Sequence, residues 1–228
     1  MSKSRRRLRA GILSFVCTVA AVTVADDASA AVIAYTGTGA VAGSAGGNLN
    51  IGRQFSVTGT GITVRDLGVW DSGGDGLANA HTVTLFTINS GAGAANANVT
   101  PVTGGSATVP AATAAPLDTG IRFTSLTAPI FLAPGNYSVV AYGLNSTGGD
   151  PYGDFGTFPA NGNVTDIRFD PFAFTASTSP TYPNAGDANN HSSASFRYDL
   201  GNTTPEPSGL ALLACGLIGL TKRRRRMH

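Results

Sequence analysis

Aspartate is the residue type through which this chain could do chemistry. Between Ala31 and Thr204 there are ten aspartates, two histidines and no Glu, Cys, Lys or Met. Without cysteine that stretch has no thiolate nucleophile, no soft metal ligand and no disulfide. Asp71 and Asp75 stand four apart in "WDSGGDG", on a Gly-rich turn. Calcium takes about six to eight oxygens, which carboxylates and loop carbonyls supply, so the pair reads as a short calcium loop. It departs from the EF-hand pattern because no Glu closes it. The alternative is an Asx turn whose aspartates cap backbone N–H groups. A second cluster lies on the Gly-rich loop 145–163, where Asp150 and Asp154 alternate with Tyr152, Phe155 and Phe158. Aromatic faces beside carboxylates can stack on and hydrogen-bond to sugars. The competing expectation is that the aromatics fold back and plug one end of the domain.

The two histidines, His81 and His191, do not make a zinc pattern, since zinc normally takes three or four N/S ligands and here Asp help would be needed that the spacing does not reveal. His81, at the start of a strand-like run, reads as a structural donor to a loop carboxylate or carbonyl. Catalytic motifs are absent: there is no G-x-S-x-G elbow and no H-E-x-x-H. A hydrolase acting on extracellular polysaccharide would have to work with paired aspartates, drawn from the 145–163 region. The sequence therefore favours a non-enzymatic protein, with no cofactor unless calcium binds at Asp71 and Asp75.

Charge is unevenly placed. The whole chain is formally +2, but residues 31–204 carry five arginines against ten aspartates, a net −5. The basic residues are concentrated at the two ends. Phosphate binding needs clustered Lys/Arg on a folded surface, so no nucleic-acid partner is expected.

The elements that must position these residues read as strands. Val83 and Leu85 alternate with Thr82 and Thr84, Ile121 and Phe123 with Arg122 and Thr124, Phe196 and Tyr198 with Arg197 and Asp199. That period of two is the mark of a half-buried strand. Ten such runs are predicted: 32–35, 53–57, 62–64, 67–70, 81–88, 120–126, 128–132, 136–144, 164–169 and 194–200. The phase slips near Asp66, which predicts a bulge or turn there. Pro134-Gly135 predicts a tight turn with φ > 0 at the glycine. The stretches 37–50 and 90–116 are Gly-rich or low in complexity and are predicted as loops, the second of them mobile. The fold class expected is all-β, an antiparallel β-sandwich of jelly-roll-like form. Helix is expected only in the two end segments, as an N-terminal signal helix and a short C-terminal apolar helix.

Those ends are organised as signals. Residues 1–30 pair a basic start, "MSKSRRRLRA", with the 15-residue apolar run "GILSFVCTVAAVTVA" and a small-x-small site at Ala28-Ser29-Ala30. This is the order of a secretory signal peptide. Residues 205–228 give Pro205-Glu206-Pro207, an 11-residue apolar run from Leu210 to Leu220, then Arg223, Arg224, Arg225 and Arg226. A helix needs about 20 residues to cross a bilayer, so this run suits transient membrane insertion, with the arginines held on the cytoplasmic side. The tail resembles the PEP-CTERM sorting signal of exported bacterial proteins. That resemblance implies processing by an exosortase-type membrane enzyme. It also implies a destination in the cell envelope or extracellular matrix, often of biofilm-forming bacteria. The stretch "LGVWDSGGDGLANAHTVTLF" at 67–86 and the later "LTAPIFLAPGNYSVVAYG" resemble exported bacterial sandwich domains of unknown function, from which no catalytic residue can be carried over. The expected organisation is thus signal peptide 1–30, β-domain 31–204 and sorting tail 205–228. The expected role is structural or adhesive, with extracellular polysaccharide as the candidate partner. Intact-mass measurement on secreted or envelope material should find a chain lacking both residues 1–30 and the apolar tail; a mature species that retains Arg223 to Arg226 would refute the sorting reading.

Overall fold

The computed structural model describes residues 31–44, 47–154, 162–174 and 181–200. The signal helix and the apolar tail helix expected from sequence lie outside them, as do Phe155 and Phe158. The described residues are all-β, with one short 3-10 turn at Ser72–Gly74. In chain order the strands are β1 (Val32–Ile33), β2 (Val41–Ala42), β3 (Leu49–Val57), β4 (Ile62–Trp70), β5 (His81–Ser90), β6 (Asn98–Val109), β7 (Leu117–Asp118) and β8 (Ile121–Leu132). They continue as β9 (Gly135–Leu144), β10 (Gly153–Asp154), β11 (Val164–Asp166), β12 (Asp170–Ala173), β13 (Ala185–Asp187), β14 (His191–Ser192) and β15 (Ala194–Leu200).

They pair antiparallel into three sheets. One has the order β1-β15-β4-β8-β7; the largest runs β13-β12-β3-β9-β5-β6, with β11 also on β3; the smallest is β14-β10-β2. The two large sheets contribute to one hydrophobic cluster: Ile62, Val64, Leu67, Val69, Phe196 and Tyr198 from the first, and Ile51, Phe55, Val83, Leu85, Val139 and Ala141 from the second. Period-two alternation supplies these sets directly, since every second residue of a strand faces the same side.

The slip near Asp66 is a β-bulge. Val64 pairs with Ile130 and Tyr198, and the register resumes at Asp66 opposite Ser125 and Arg197. Against β15 one residue, Arg65, is inserted, while on the other side β8 carries the extra residues 126–129; the two runs predicted at 62–64 and 67–70 form one bent strand. Ile62 and Val64 face the main cluster before the bulge, Leu67 and Val69 after it. Trp70 then falls on the outer face, where it is 4% exposed and packs with Ile121, Phe123, Ile33 and Ala40 in a separate small cluster. A Cβ on Gly37 would lie 2.4 Å from the indole, so the loop after β1 needs glycine to cover the ring.

Other expectations shift. The low-complexity stretch 90–116 holds the twelve-residue β6. It pairs with β5 and skips from Pro101 to Ser106 as its partner runs from Phe86 to Thr84. Because β6 ends the sheet order, Pro101 costs no ladder bond needed by a further neighbour. Gly135 has no positive φ; it opens β9 opposite Val57. The turn is instead braced by Tyr137, whose hydroxyl donates to the Ala133 carbonyl at 2.9 Å. The run predicted at 164–169 breaks at Arg168, which has φ 58°, and separates β11 from β12.

Trp70→Ala should destabilise the protein by about 3–5 kcal/mol, as truncation of a buried aromatic does. Chemical denaturation checks this, and the folded protein should show indole emission resistant to aqueous quenchers.

Candidate functional site

Two polar regions stand out, and the first involves an aspartate that the sequence singles out, Asp150. The first is a cleft of about 530 Å³ where β5 starts and β9 ends. Asn48, Asn79, Thr82, Tyr142 and Asn145 line it, with backbone from Gly143. Its wall is fixed from behind by Asp150. That carboxylate accepts from the backbone N–H of Ala78 at 2.7 Å and of Asn79 at 2.8 Å, and from the Asn79 side-chain amide at 3.2 Å. The Nε2 of His81 lies 3.0 Å from the same carboxylate, and Nδ1 lies 2.9 Å from the Tyr142 carbonyl oxygen. His81 therefore does join a loop carboxylate and a carbonyl, as its position in sequence suggests. Asp150 is buried and committed to the fold, so it is not part of an exposed sugar-stacking surface.

The rest of the 145–163 loop goes elsewhere. The Tyr152 carbonyl accepts from Gly43 N–H at 2.8 Å, and the ring packs where a Cβ on Gly43 would collide with it. Its other neighbour is His191, ring centroids 5.1 Å apart. Tyr152 is thus folded inward. Asp154 is paired in register with His191 across β10 and β14, with its carboxylate 3.8 Å from Nε2.

Asp71 already has a cation. Arg122 Nε donates to its Oδ2 at 2.6 Å, and the guanidinium also donates to the carbonyls of Ala115 and Gly74. Gly76 N–H donates to the same Oδ2 at 3.1 Å. Both Asp71 and Arg122 are buried, while Asp75 is exposed. The guanidinium stands where a calcium ion was expected, and the backbone bond to Gly76 matches the capping alternative.

The second region centres on Arg53. Its side chain is fully buried and projects from the inner face of β3, between Ile51 and Phe55 in the alternation. Nε and Nη2 donate to the two oxygens of Asp166 at 2.6 and 2.5 Å, a bidentate pair. Nη1 donates to Asp170 Oδ1 at 3.2 Å and to the Asn189 carbonyl at 2.5 Å. Asp170 lies directly opposite Asp187 in the β12–β13 ladder. Its other oxygen, Oδ2, is buried and has no hydrogen-bond partner; His191 Nδ1 is 3.7 Å away. Burial first, and then the facing Asp187, push the Asp170 carboxyl up to about 8, against the lowering pull of Arg53 and of the His191 backbone. Asp170, Asp187 and His191 offer ligand atoms that all lie within 4.8 Å of one another.

Sequence reading overlooked Arg53, Asp166, Asp170, Asp187 and His191 as a group. The spacing Asp187-x-x-x-His191 was visible, but Asp166 and Asp170 lie on separate short strands, β11 and β12, and Arg53 comes from β3, more than a hundred residues earlier than these aspartates. No protein-family model, curated protein or solved structure matches this chain.

Removing Arg122 leaves Asp71 as an uncompensated buried charge, so Arg122→Ala should cost about 3–5 kcal/mol. Asp75→Ala, at an exposed position, should stay within about 0.5 kcal/mol. Denaturant titration of the two variants separates an internal ion pair from a shared metal site, for which both substitutions would be felt.

Proposed function

We propose that this is an exported, non-enzymatic protein of the bacterial envelope or extracellular matrix. In this reading residues 1–30 direct export. The tail from Pro205 to Arg226 inserts transiently in the membrane and is processed by an exosortase-type enzyme. The all-β domain is a jelly-roll-like sandwich with a structural or adhesive role, binding extracellular polysaccharide.

The observation that carries the binding reading is the chemistry of the cleft. Asn48, Asn79, Thr82 and Asn145 put amides and a hydroxyl on the cleft, groups that both donate and accept; Asn145 also bonds Asn48 and the backbone of Thr147 and Gly148, and Asn79 bonds Asp150. Hydroxyl-rich sugars need that dual capacity. Among the described residues no carboxylate or histidine lines the cleft, and glycoside hydrolysis usually works through a pair of carboxylates. Asp150, the nearest acid in the loop considered for a hydrolase, is turned away to hold the backbone of Ala78 and Asn79. That arrangement favours recognition of an uncharged glycan over its cleavage.

Ala80 is exposed and lines the cleft. Ala80→Trp should fill the cleft, leave stability within about 0.5 kcal/mol, and abolish retention of the chain on neutral polysaccharide in glycan-array and pull-down assays. Undiminished retention by the variant would overturn the cleft as the binding site, and release of reducing ends from the glycan would overturn the non-enzymatic reading.

A further inference from the structure

We propose that Asp170, Asp187 and His191 form a site for one divalent transition-metal ion of the zinc or manganese class, where β12, β13 and β14 meet. The inference stands apart from the glycan reading and uses none of the cleft residues.

The geometry sets up a charge conflict that a cation resolves. Like charges placed directly opposite on neighbouring strands destabilise a sheet, and Asp170 and Asp187 are such a pair whenever both are ionised. The conflict is internal, because Asp170 is fully buried. Arg53 does not remove it: both oxygens of Asp166 already occupy one edge of the guanidinium, and Nη1 reaches only Oδ1 of Asp170. Oδ2 of Asp170 is left buried, without a hydrogen-bond partner, and facing the other two groups. A buried acceptor of this kind is costly unless something satisfies it. One divalent ion would neutralise the two carboxylates together, leaving Arg53 balanced by Asp166.

The donor set selects the metal. Two carboxylate oxygens and an imidazole nitrogen suit zinc or manganese, whereas calcium takes oxygen ligands. Zinc ligands at about 2.0–2.2 Å from the ion stand roughly 3.3–3.5 Å apart. The three ligand atoms lie within 4.8 Å of one another, and the Asp170 Oδ2 to His191 Nδ1 distance is 3.7 Å. Closing the set thus takes side-chain movements of about 1 Å. Asp187 and His191 are only partly buried, which gives the ion an entry path and leaves room for water as a further ligand. Asp154, on the far nitrogen of His191 at 3.8 Å, would orient the ring as outer carboxylates do for metal-bound histidines.

The purified full chain, made without a histidine tag, would be stripped with chelator and titrated separately with Zn²⁺, Mn²⁺ and Ca²⁺. Bound metal per chain and Tm are the readouts. One equivalent of Zn²⁺ or Mn²⁺ should bind with a rise in Tm, and Ca²⁺ should bind at least tenfold more weakly. His191→Ala and Asp187→Asn should each weaken binding at least tenfold, and Asp75→Ala should leave it unchanged. Since both variants alter partly exposed side chains, an unchanged circular dichroism spectrum in the metal-free state verifies that they fold. Failure of the wild-type chain to take up Zn²⁺ or Mn²⁺ stoichiometrically, unaltered affinity in both variants, or a preference for Ca²⁺ would each overturn the proposal.

Discussion

A single buried guanidinium organises one whole flank of this protein. Arg53 sits on the inner face of β3, a position where the alternation of Ile51, Phe55 and Val57 calls for an apolar side chain. Moving a charge out of water costs several kcal/mol, and the interior repays it only with good geometry. Here the bidentate Asp166, Asp170 and the Asn189 carbonyl supply that geometry. Each of these partners lies on a different short piece of chain: β11, the start of β12, and the turn between β13 and β14. Such two- to four-residue strands have few ladder bonds of their own. Converging on one fork of donors ties each of these pieces to β3.

The same convergence explains why the edge of the sheet is irregular there. Arg168 has φ 58°, and around it Gln54 exchanges bonds with the interrupted strand: its N–H donates to Phe169 O, and its carbonyl accepts from Ile167 N–H. A regular strand from Val164 to Ala173 would alternate Asp166 and Asp170 onto one face but carry them apart along it. Breaking the strand at Arg168 brings both carboxylates within reach of one side chain. The bulge at Arg65 does comparable work in the other sheet, where it turns Trp70 from the main cluster to the outer face under Gly37. In both cases one irregular residue decides which layer a large or charged side chain enters.

Much of the fold was legible because long strands carry their own pattern. β4, β5, β8, β9 and β15 alternate apolar and polar residues, and even the bulge in β4 leaves a trace as a slipped phase. β6 was not legible: Pro101, Gly104 and Gly105 are strand breakers by propensity, and only its place at the end of the sheet order makes them tolerable. The short strands β10 to β14 have too few residues to show any period. For the sites, His81 was legible as a structural residue: its Nδ1 meets the Tyr142 carbonyl and its Nε2 lies beside Asp150. At Asp71 the capping alternative was legible, but not the ion pair, because Arg122 is fifty-one residues away in sequence and a counter-charge at that separation leaves no local signature. The Asp170 cluster failed for the same reason, since its cation comes from Arg53.

Counting charges by layer, rather than along the chain, shows where the excess of acid goes. Four of the five arginines in 31–204 are spent on aspartates: Arg53 on Asp166 and Asp170, Arg65 on Asp199, Arg122 on Asp71, and Arg197 on Asp66 and Asp118. Asp150 and Asp154 face the two histidines. That leaves Asp75 and Asp187 without an arginine or histidine contact of this kind. Asp75 is exposed, and water screens it. Asp187 is only half-exposed and lies across a ladder from Asp170, accepting a hydrogen bond from Asn189 N–H at 3.2 Å. Asp170 and Asp187 thus bring an acidic pair together beside a guanidinium that Asp166 already shares. A folded state that holds two carboxylates together there needs either a proton or a cation between them, and the imidazole of His191 beside the pair is the feature that makes the second option chemically specific.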